Sequence, residues 1–386
     1  MNNIRGFSLV ELMVGMLVGL IGTMVIFQVF AVAEGQKRTT TSGGDAAQSA
    51  AFALFSLERD LRMAGQGFNN KGLLGCSIRV YDDSSPAPKS RLQTLLPAVI
   101  TPGTGNLPDS LSIAYISSDV VNPPAALQAS VAANGIITVD SLGFVQIGDT
   151  MVISNLNSGD IALVAGVPFQ CTMFQVTNLP VNTNQIGHNP VPGSFVVPGG
   201  TTKPITLNHS AGLDNGLSPS LTFPAGNLDT GGYVYNLGNS PLTAATYFVN
   251  ANNQLMRRDD MGNAAQPIAI ADGIVQMKVL YGIDADADHQ ISTSEWTSVA
   301  PTTPVGWQRL LAVKVALVAR SALLEKANPV SGVCNATAAN PIWYGAGPSG
   351  GNITLYVDAD PNWMCYRYKV FQTVSPIRNM AWMPYR

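Results

Sequence analysis

Glu11 is the sole charge among the 27 residues from Phe7 to Ala33, FSLVELMVGMLVGLIGTMVIFQVFAVA. Inside a membrane helix an acid costs about 2.5–3.5 kcal/mol, so it calls for a partner and a task. A second acidic set lies at 284–295, DADADHQISTSE. Asp284, Asp286 and Asp288 stand at positions 1, 3 and 5 of a twelve-residue loop, Ser292 at position 9 and Glu295 at position 12, with the apolar Ile291 at position 8. That is the EF-hand ligand spacing, and Ca2+ needs six to eight oxygens. Three Asp carboxylates, the Gln290 carbonyl, Ser292 directly or through water, and a bidentate Glu295 would supply them. His289 stands where the sharp turn normally takes Gly, although His tolerates a left-handed backbone better than most residues. The flanks also differ from a true EF-hand, because a strand precedes the loop. Four carboxylates in twelve residues repel one another, which favours a bound cation over a solvated acidic turn.

Cys76, Cys171, Cys334 and Cys365 contain no Cys-x-x-Cys, which argues against a zinc ribbon or a redox pair. Four cysteines allow three connectivities. Cys334–Cys365 is the favoured pair, because it would tie down a Gly/Pro/Asn-rich loop between two strands; Cys76–Cys171 then remains. His188, His209 and His289 show no metal-ligand spacing such as HExxH, and no nucleophile elbow, P-loop or dinucleotide fingerprint occurs in the right context. Asp259–Asp260 reads as a solvated turn. The expectation is therefore a protein that is not an enzyme. Only 12% of residues are charged, the net charge is −3, and 46% are hydrophobic. Nucleic-acid binding lacks the basic face it requires, and intrinsic disorder lacks its usual composition.

These groups need elements to hold them. As a helix, Phe7–Ala33 would be ~40 Å long, enough to cross a ~30 Å hydrocarbon core. A secretory signal has a shorter apolar run followed by a small-residue cut site, and neither is present. Gly15, Gly19 and Gly22 recur at three and four, which permits close helix approach. Lys37 and Arg38 mark the exit from the bilayer. Gly43–Gly44 is expected to bend or interrupt the helix, with Asp45 as a new N-cap. Ala47, Ala50, Ala51, Leu54, Leu57, Leu61 and Ala64 then recur at helical spacing, with Glu58, Arg59, Asp60 and Arg62 mostly off that stripe. Gly65 and Gly67 supply the stop.

From about residue 70 the period becomes two, and strands are expected at 110–116, 136–140, 145–154, 161–164 and 172–176. Residues 178–243 read as a loop-rich insertion with a few short strands. A hairpin is expected across 247–250 and 254–257. In 274–281, Val275, Met277, Val279 and Tyr281 share one face. In 310–320, Leu311, Val313, Val315 and Leu317 do so, and a further strand is expected at 366–371. Such alternation suits an antiparallel sheet with one buried face, covered by the long helix.

The string MNNIRG-FSLVEL resembles the leader of type IV pilins and type II secretion pseudopilins. The resemblance implies cleavage by a prepilin peptidase between Gly6 and Phe7, N-methylation of Phe7, and pairing of Glu11 with the Phe7 amine of a neighbouring subunit to set axial register. The Pro usual in the later part of a major pilin's helix is missing around Phe27–Gln28–Val29. Farther on, GFVQIGDTMVIS, CTMFQVTNL, DGIVQMKVLYGIDADAD, WQRLLAVKVALVARS and VFQTVSPIRN resemble the PilW family of minor pilins across most of the chain, least in 178–243 and 329–362. That implies an α+β, type IV pilin-like fold. A leader at 1–6, a transmembrane half-helix at 7–33 and an exposed amphipathic half at 34–65 precede a β-rich head at 66–386. It also implies a place in the bacterial inner membrane with a periplasmic head, then at the pilus tip on the cell surface. The expected partners are other minor pilins, the major pilin and a PilY-type tip adhesin. A type II secretion pseudopilin of the J type, or a calcium-dependent envelope adhesin on a pilin-like anchor, are the alternative readings. Outside the cytoplasm, disulfides persist.

Overall fold

The computed structural model describes residues 8–67, 73–83, 89–116, 123–132, 136–154, 170–197, 199–217, 221–225, 232–238, 242–261, 266–328 and 331–381. The leader, Phe7 and the expected strand at 161–164 lie outside the described residues.

One helix, Leu9–Met63, runs unbroken for 55 residues. Gly43–Gly44 does not interrupt it, and Asp45 lies in its interior. Two glycines cost helix propensity of about 1 kcal/mol each, which continuous hydrogen bonding on either side outweighs. The helix ends at Ala64, and Gly65 and Gly67 follow at φ 74° and 79°. Leu9 to Phe30 project into open space, with Phe27 and Phe30 73% and 68% exposed. This stretch is long and apolar enough to cross a membrane.

The second half of the helix packs on a four-stranded antiparallel sheet, ordered Trp296–Thr297, Ile274–Ile283, Leu310–Arg320, Tyr368–Pro376. Beside it lies a five-stranded antiparallel sheet, ordered Ile268–Asp272, Gln254–Asp259, Leu242–Val249, Ser110–Ile116, Ala98–Thr101. Ala50, Ala53, Leu57 and Leu61 of the helix share one core with Met277, Val279, Tyr281, Val313, Val315 and Leu317, and with Leu111, Ile113 and Tyr247 of the neighbouring sheet. Tyr281 links the two sheets directly, since its hydroxyl accepts the Ile100 N–H at 2.6 Å. The buried stripe differs from the expected one at Ala51, which is exposed, and at Ala53, which is buried.

The central sheet is buried on both faces. Ala312, Ala316 and Val318 lie opposite the helix, beneath Trp343, Leu355 and Val357. The expected single buried face on 310–320 is thus corrected: a long excursion after Arg320 returns over the outer face. Val275 also leaves its expected companions and packs with that outer layer. A bulge between Ile274 and Gln276 adds one residue and reverses the phase. The expected strand at 366–371 forms two residues later, at Tyr368–Pro376.

A six-stranded sheet completes the head, ordered Ser90–Thr94, Ser77–Tyr81, Gln170–Gln175, Thr150–Ser154, Tyr233–Asn236, Ala125–Ala126. Its pair Ser77–Tyr81 with Gln170–Gln175 is parallel, the exception among the strand pairs of the described residues. The region 178–243 is more than an insertion, because Tyr233–Asn236 pairs with strands on both sides. Buried Asn208 ties it down, accepting the Gln175 N–H at 2.7 Å and donating to the Asn189 carbonyl at 2.8 Å. The hairpin Leu242–Val249 with Gln254–Asp259 forms as expected, around Asn253 at φ 58°. Disulfides join Cys76 to Cys171 and Cys334 to Cys365, with Cα separations of 6.0 and 4.8 Å.

Candidate functional site

The chemistry-bearing groups fall at three places: the start of the helix, its junction with the head, and the acidic loop.

At the start, Ser8 is the N-cap. Its hydroxyl accepts the Glu11 N–H at 3.2 Å, and the Glu11 carboxylate accepts the Ser8 N–H at 3.0 Å. This reciprocal capping box holds the carboxylate over the positive end of the helix dipole. Glu11 is exposed, with no contact to the head among the described residues. Its position in the first turn presents a negative charge at the start of the helix. Gly6 and Phe7 themselves lie outside the described residues. Gly15, Gly19 and Gly22 face open space, with nothing within 4 Å of a Cβ built on any of them.

At the junction stands a group that the helical pattern missed. Asp60 is 1% exposed. It accepts the Tyr247 hydroxyl at 2.8 Å and Arg257 Nε at 3.2 Å, and lies 3.4 Å from Arg59 Nε. Burial and the adjacent Asp60 charge raise the Tyr247 hydroxyl above its ordinary range. The i, i+3 spacing from Leu57 and the i, i+4 spacing to Ala64 already placed Asp60 on the buried stripe. Its charge alone argued against that. The network ties the helix to the hairpin of the five-stranded sheet.

The acidic loop leaves the central sheet at Ile283. Asp284 is fully buried, and Glu295 is 9% exposed. Oxygens of Asp284, Asp286 and Glu295 lie within 4.8 Å of one another. Asp284 accepts the N–H groups of Asp288 at 3.1 Å and His289 at 3.0 Å. Glu295 accepts those of Ala285 at 2.6 Å and Ser292 at 2.7 Å. The two carboxylates thus staple the loop's ends and leave lone pairs facing its interior. His289 takes φ 63°, the left-handed turn that position 6 requires, and Ala287 takes φ 66°. The Ser292 amide, with that of Ala285, holds Glu295 below its usual range against the effect of burial. For Asp286, the Asp288 amide pulls down, but burial and the charges of Asp288 and Glu295 win and push the carboxyl up. Asp288 caps the Gln290 N–H at 2.7 Å, and Ser292 faces Ser294 at 3.0 Å. Behind the loop, Trp296 packs on Gly282, where a Cβ would come within 2.9 Å of the indole. Asp284, Asp286 and Glu295 are therefore brought together, while Asp288, Gln290 and Ser292 contribute to the turn around them.

Asp259 and Asp260 are structural. Asp259 accepts the Met261 N–H at 3.0 Å, and Asp260 pairs with Arg258 at 2.7 Å.

Residues 1–27 match the Prokaryotic N-terminal methylation motif, and residues 244–379 match the family Type IV Pilus-assembly protein W, PilW. The chain joins a prepilin-type start to a PilW segment. The PilW match begins within the hairpin of the five-stranded sheet and takes in the whole four-stranded sheet and the acidic loop. It is narrower than the sequence resemblance suggested, since 143–154 and 171–179 lie outside it. No curated protein and no solved structure matches the chain. The two family matches support a minor pilin of the type IV pilus and point to a structural pilin rather than an enzyme. The prepilin-type start and the apolar helix fit anchoring in a membrane and entry into a pilus.

Proposed function

We propose that this PilW-type pilin acts at or near the pilus tip, where it primes assembly and helps present a PilY-type tip adhesin. The carrying observation is the union in one chain of a methylation motif at 1–27 and a PilW segment at 244–379, the helix that begins in the motif entering, through Leu57 and Leu61, the core that holds Val313 and Val315. A prepilin peptidase would cut after Gly6 on the cytoplasmic face of the inner membrane. The new Phe7 amine would be methylated, and Glu11 would pair with such an amine on a neighbour. Two poorly solvated opposite charges gain by pairing.

The decisive experiment is affinity purification of the head, residues 35–386, from cells that make pili. Recovery of other minor pilins and a tip adhesin supports the reading. Recovery of secretion pseudopilins, with loss of secretion rather than of pili on deletion, would replace it with the J-type alternative.

We further propose that the 284–295 loop binds calcium. The support is that three carboxylates converge within 4.8 Å while His289 adopts the turn the motif needs. Extracellular calcium modules bind at about 10⁻⁴–10⁻³ M, and a strained non-Gly turn favours the weaker end. Isothermal titration of the head with calcium tests this, and no heat at millimolar calcium would refute it.

A further inference from the structure

Where the helix leaves its apolar stretch, the head reaches back to meet it. A cleft of about 520 Å³ is lined on one side by Val32, Gly35, Gln36 and Ser42, and on the other by Leu323, Leu324, Lys326 and Arg367. The segment is docked by the Leu323 N–H, which donates to the Ser42 hydroxyl at 3.3 Å.

Leu323 and Leu324 are 48% and 47% exposed, side by side at the edge of the cleft. Val32 is the last large apolar residue of the membrane stretch, and Glu34 and Lys37 are the first charges beyond it. Any bilayer that covers Val32 therefore places its headgroups along the mouth of this cleft. Lys326 is exposed and has no ion pair among the described residues, while Arg367 pairs with Glu325 at 2.8 Å. Two exposed leucines beside an exposed cation at a membrane boundary match a lipid surface, which takes apolar side chains into its interface and an ammonium at its phosphates.

We propose that the 321–326 segment is a second membrane contact of the head before assembly, with Leu323 and Leu324 in the outer leaflet interface and Lys326 on an anionic phospholipid headgroup. This rests on the membrane-anchored reading above. Its use is geometric. A single helix leaves the head free to swing, whereas two contacts fix its tilt before the subunit is extracted into a filament.

The four cysteines are paired, so an added cysteine gives a unique labelling site. Full-length protein carrying Leu323→Cys, Val18→Cys or Val299→Cys is labelled with a nitroxide and reconstituted into phosphatidylethanolamine vesicles with phosphatidylglycerol. Collision rates with oxygen and with a nickel chelate then report depth. A Leu323→Cys ratio of oxygen to nickel several-fold above that of Val299→Cys is expected. It should fall when Lys326→Glu is added, or when phosphatidylglycerol is omitted. A ratio equal to that of Val299→Cys, with Val18→Cys immersed, would overturn the contact and leave the anchor standing. If Val18→Cys were also water-exposed, the anchor reading itself would fall. A label shielded from both reagents and broadened by a second nitroxide would assign the cleft to another copy of the chain and overturn the lipid contact. A depth insensitive to both charge changes would overturn the headgroup role of Lys326.

Discussion

Replacing Asp60 by Ala tests whether the helix is locked to the head through a buried charge. The substitution removes the acceptor of the Tyr247 hydroxyl and the counter-charge of Arg257. Breaking a buried pair by deleting one partner costs about 3–5 kcal/mol. The Arg257 side chain is 20% exposed, so water repays part of its loss and the lower end, about 3 kcal/mol, applies. Unfolding entropy of about 2.1 cal/mol/K per residue makes the soluble fragment 35–386, roughly 350 residues, respond by about 1.4 °C per kcal/mol. Asp60→Ala should therefore lower the melting temperature of that fragment by about 4 °C in differential scanning calorimetry. Asp60→Asn keeps an acceptor for Tyr247 and should cost less, about 1–2 kcal/mol. Removing both charges with Asp60→Leu and Arg257→Met should recover much of the loss, because the orphaned cation is gone. A shift below about 1 °C for Asp60→Ala, or strict additivity of the two charge-removing changes, would refute the lock.

Glu11→Ala should leave membrane insertion intact or improve it by about 2.5–3.5 kcal/mol, yet reduce incorporation into sheared pili; wild-type levels by immunoblot would refute its register role. N-terminal sequencing of mature protein should begin at N-methyl-Phe7, and a start at Met1 would refute processing. Millimolar calcium should raise the head's melting temperature by a few degrees and magnesium by less, an effect that Asp286→Asn should weaken. Glu295→Ala should abolish that shift and also lower the calcium-free value, because the Ala285 and Ser292 amides lose their acceptor. Burial raises the Tyr235, Tyr281 and Tyr368 hydroxyls to about 12, against about 10 in the unfolded chain. Their contribution is complete below pH ~10 and is lost as pH rises toward the folded values, because the unfolded chain ionises first. Absorbance titration should show these tyrosines ionising only with unfolding, and a rise at pH ~10 that accounts for all 11 tyrosines of the folded protein would contradict their burial.

Local chemistry determined the ends of this protein and its regular strands. An apolar run with one acid, a Gly-Phe junction ahead of it, and the spacing of carboxylates at 284–295 are properties of neighbours in the chain. So is the alternation that fixed the strand Leu310–Arg320, whose expected and observed bounds coincide. The helix stop at Gly65 was equally local, since only a glycine enters φ 74° without strain there.

What the tertiary structure decided is whatever depends on a second surface. Leu310–Arg320 is buried on both faces because residues some forty positions later fold over it, with Trp343 1% exposed and its indole donating to Gln372. Asp60 is a core residue because Tyr247 and Arg257 come from the two strands of a hairpin nearly two hundred residues away. Val275 changed faces at a bulge whose cause is its pairing with Leu310–Arg320. The region 178–243 looked loop-like because its buried apolar residues, Ile186, Leu213, Phe223 and Val234 among them, are scattered without a sustained period and are tied down by polar side chains. Asn215 is 1% exposed and donates to the Arg79 carbonyl at 2.8 Å, a bond no hydrophobic period announces. Hydrophobic periodicity records one face of one element. Buried polar partners, bulges and second layers are set by distant residues, and they emerge only when the chain closes on itself.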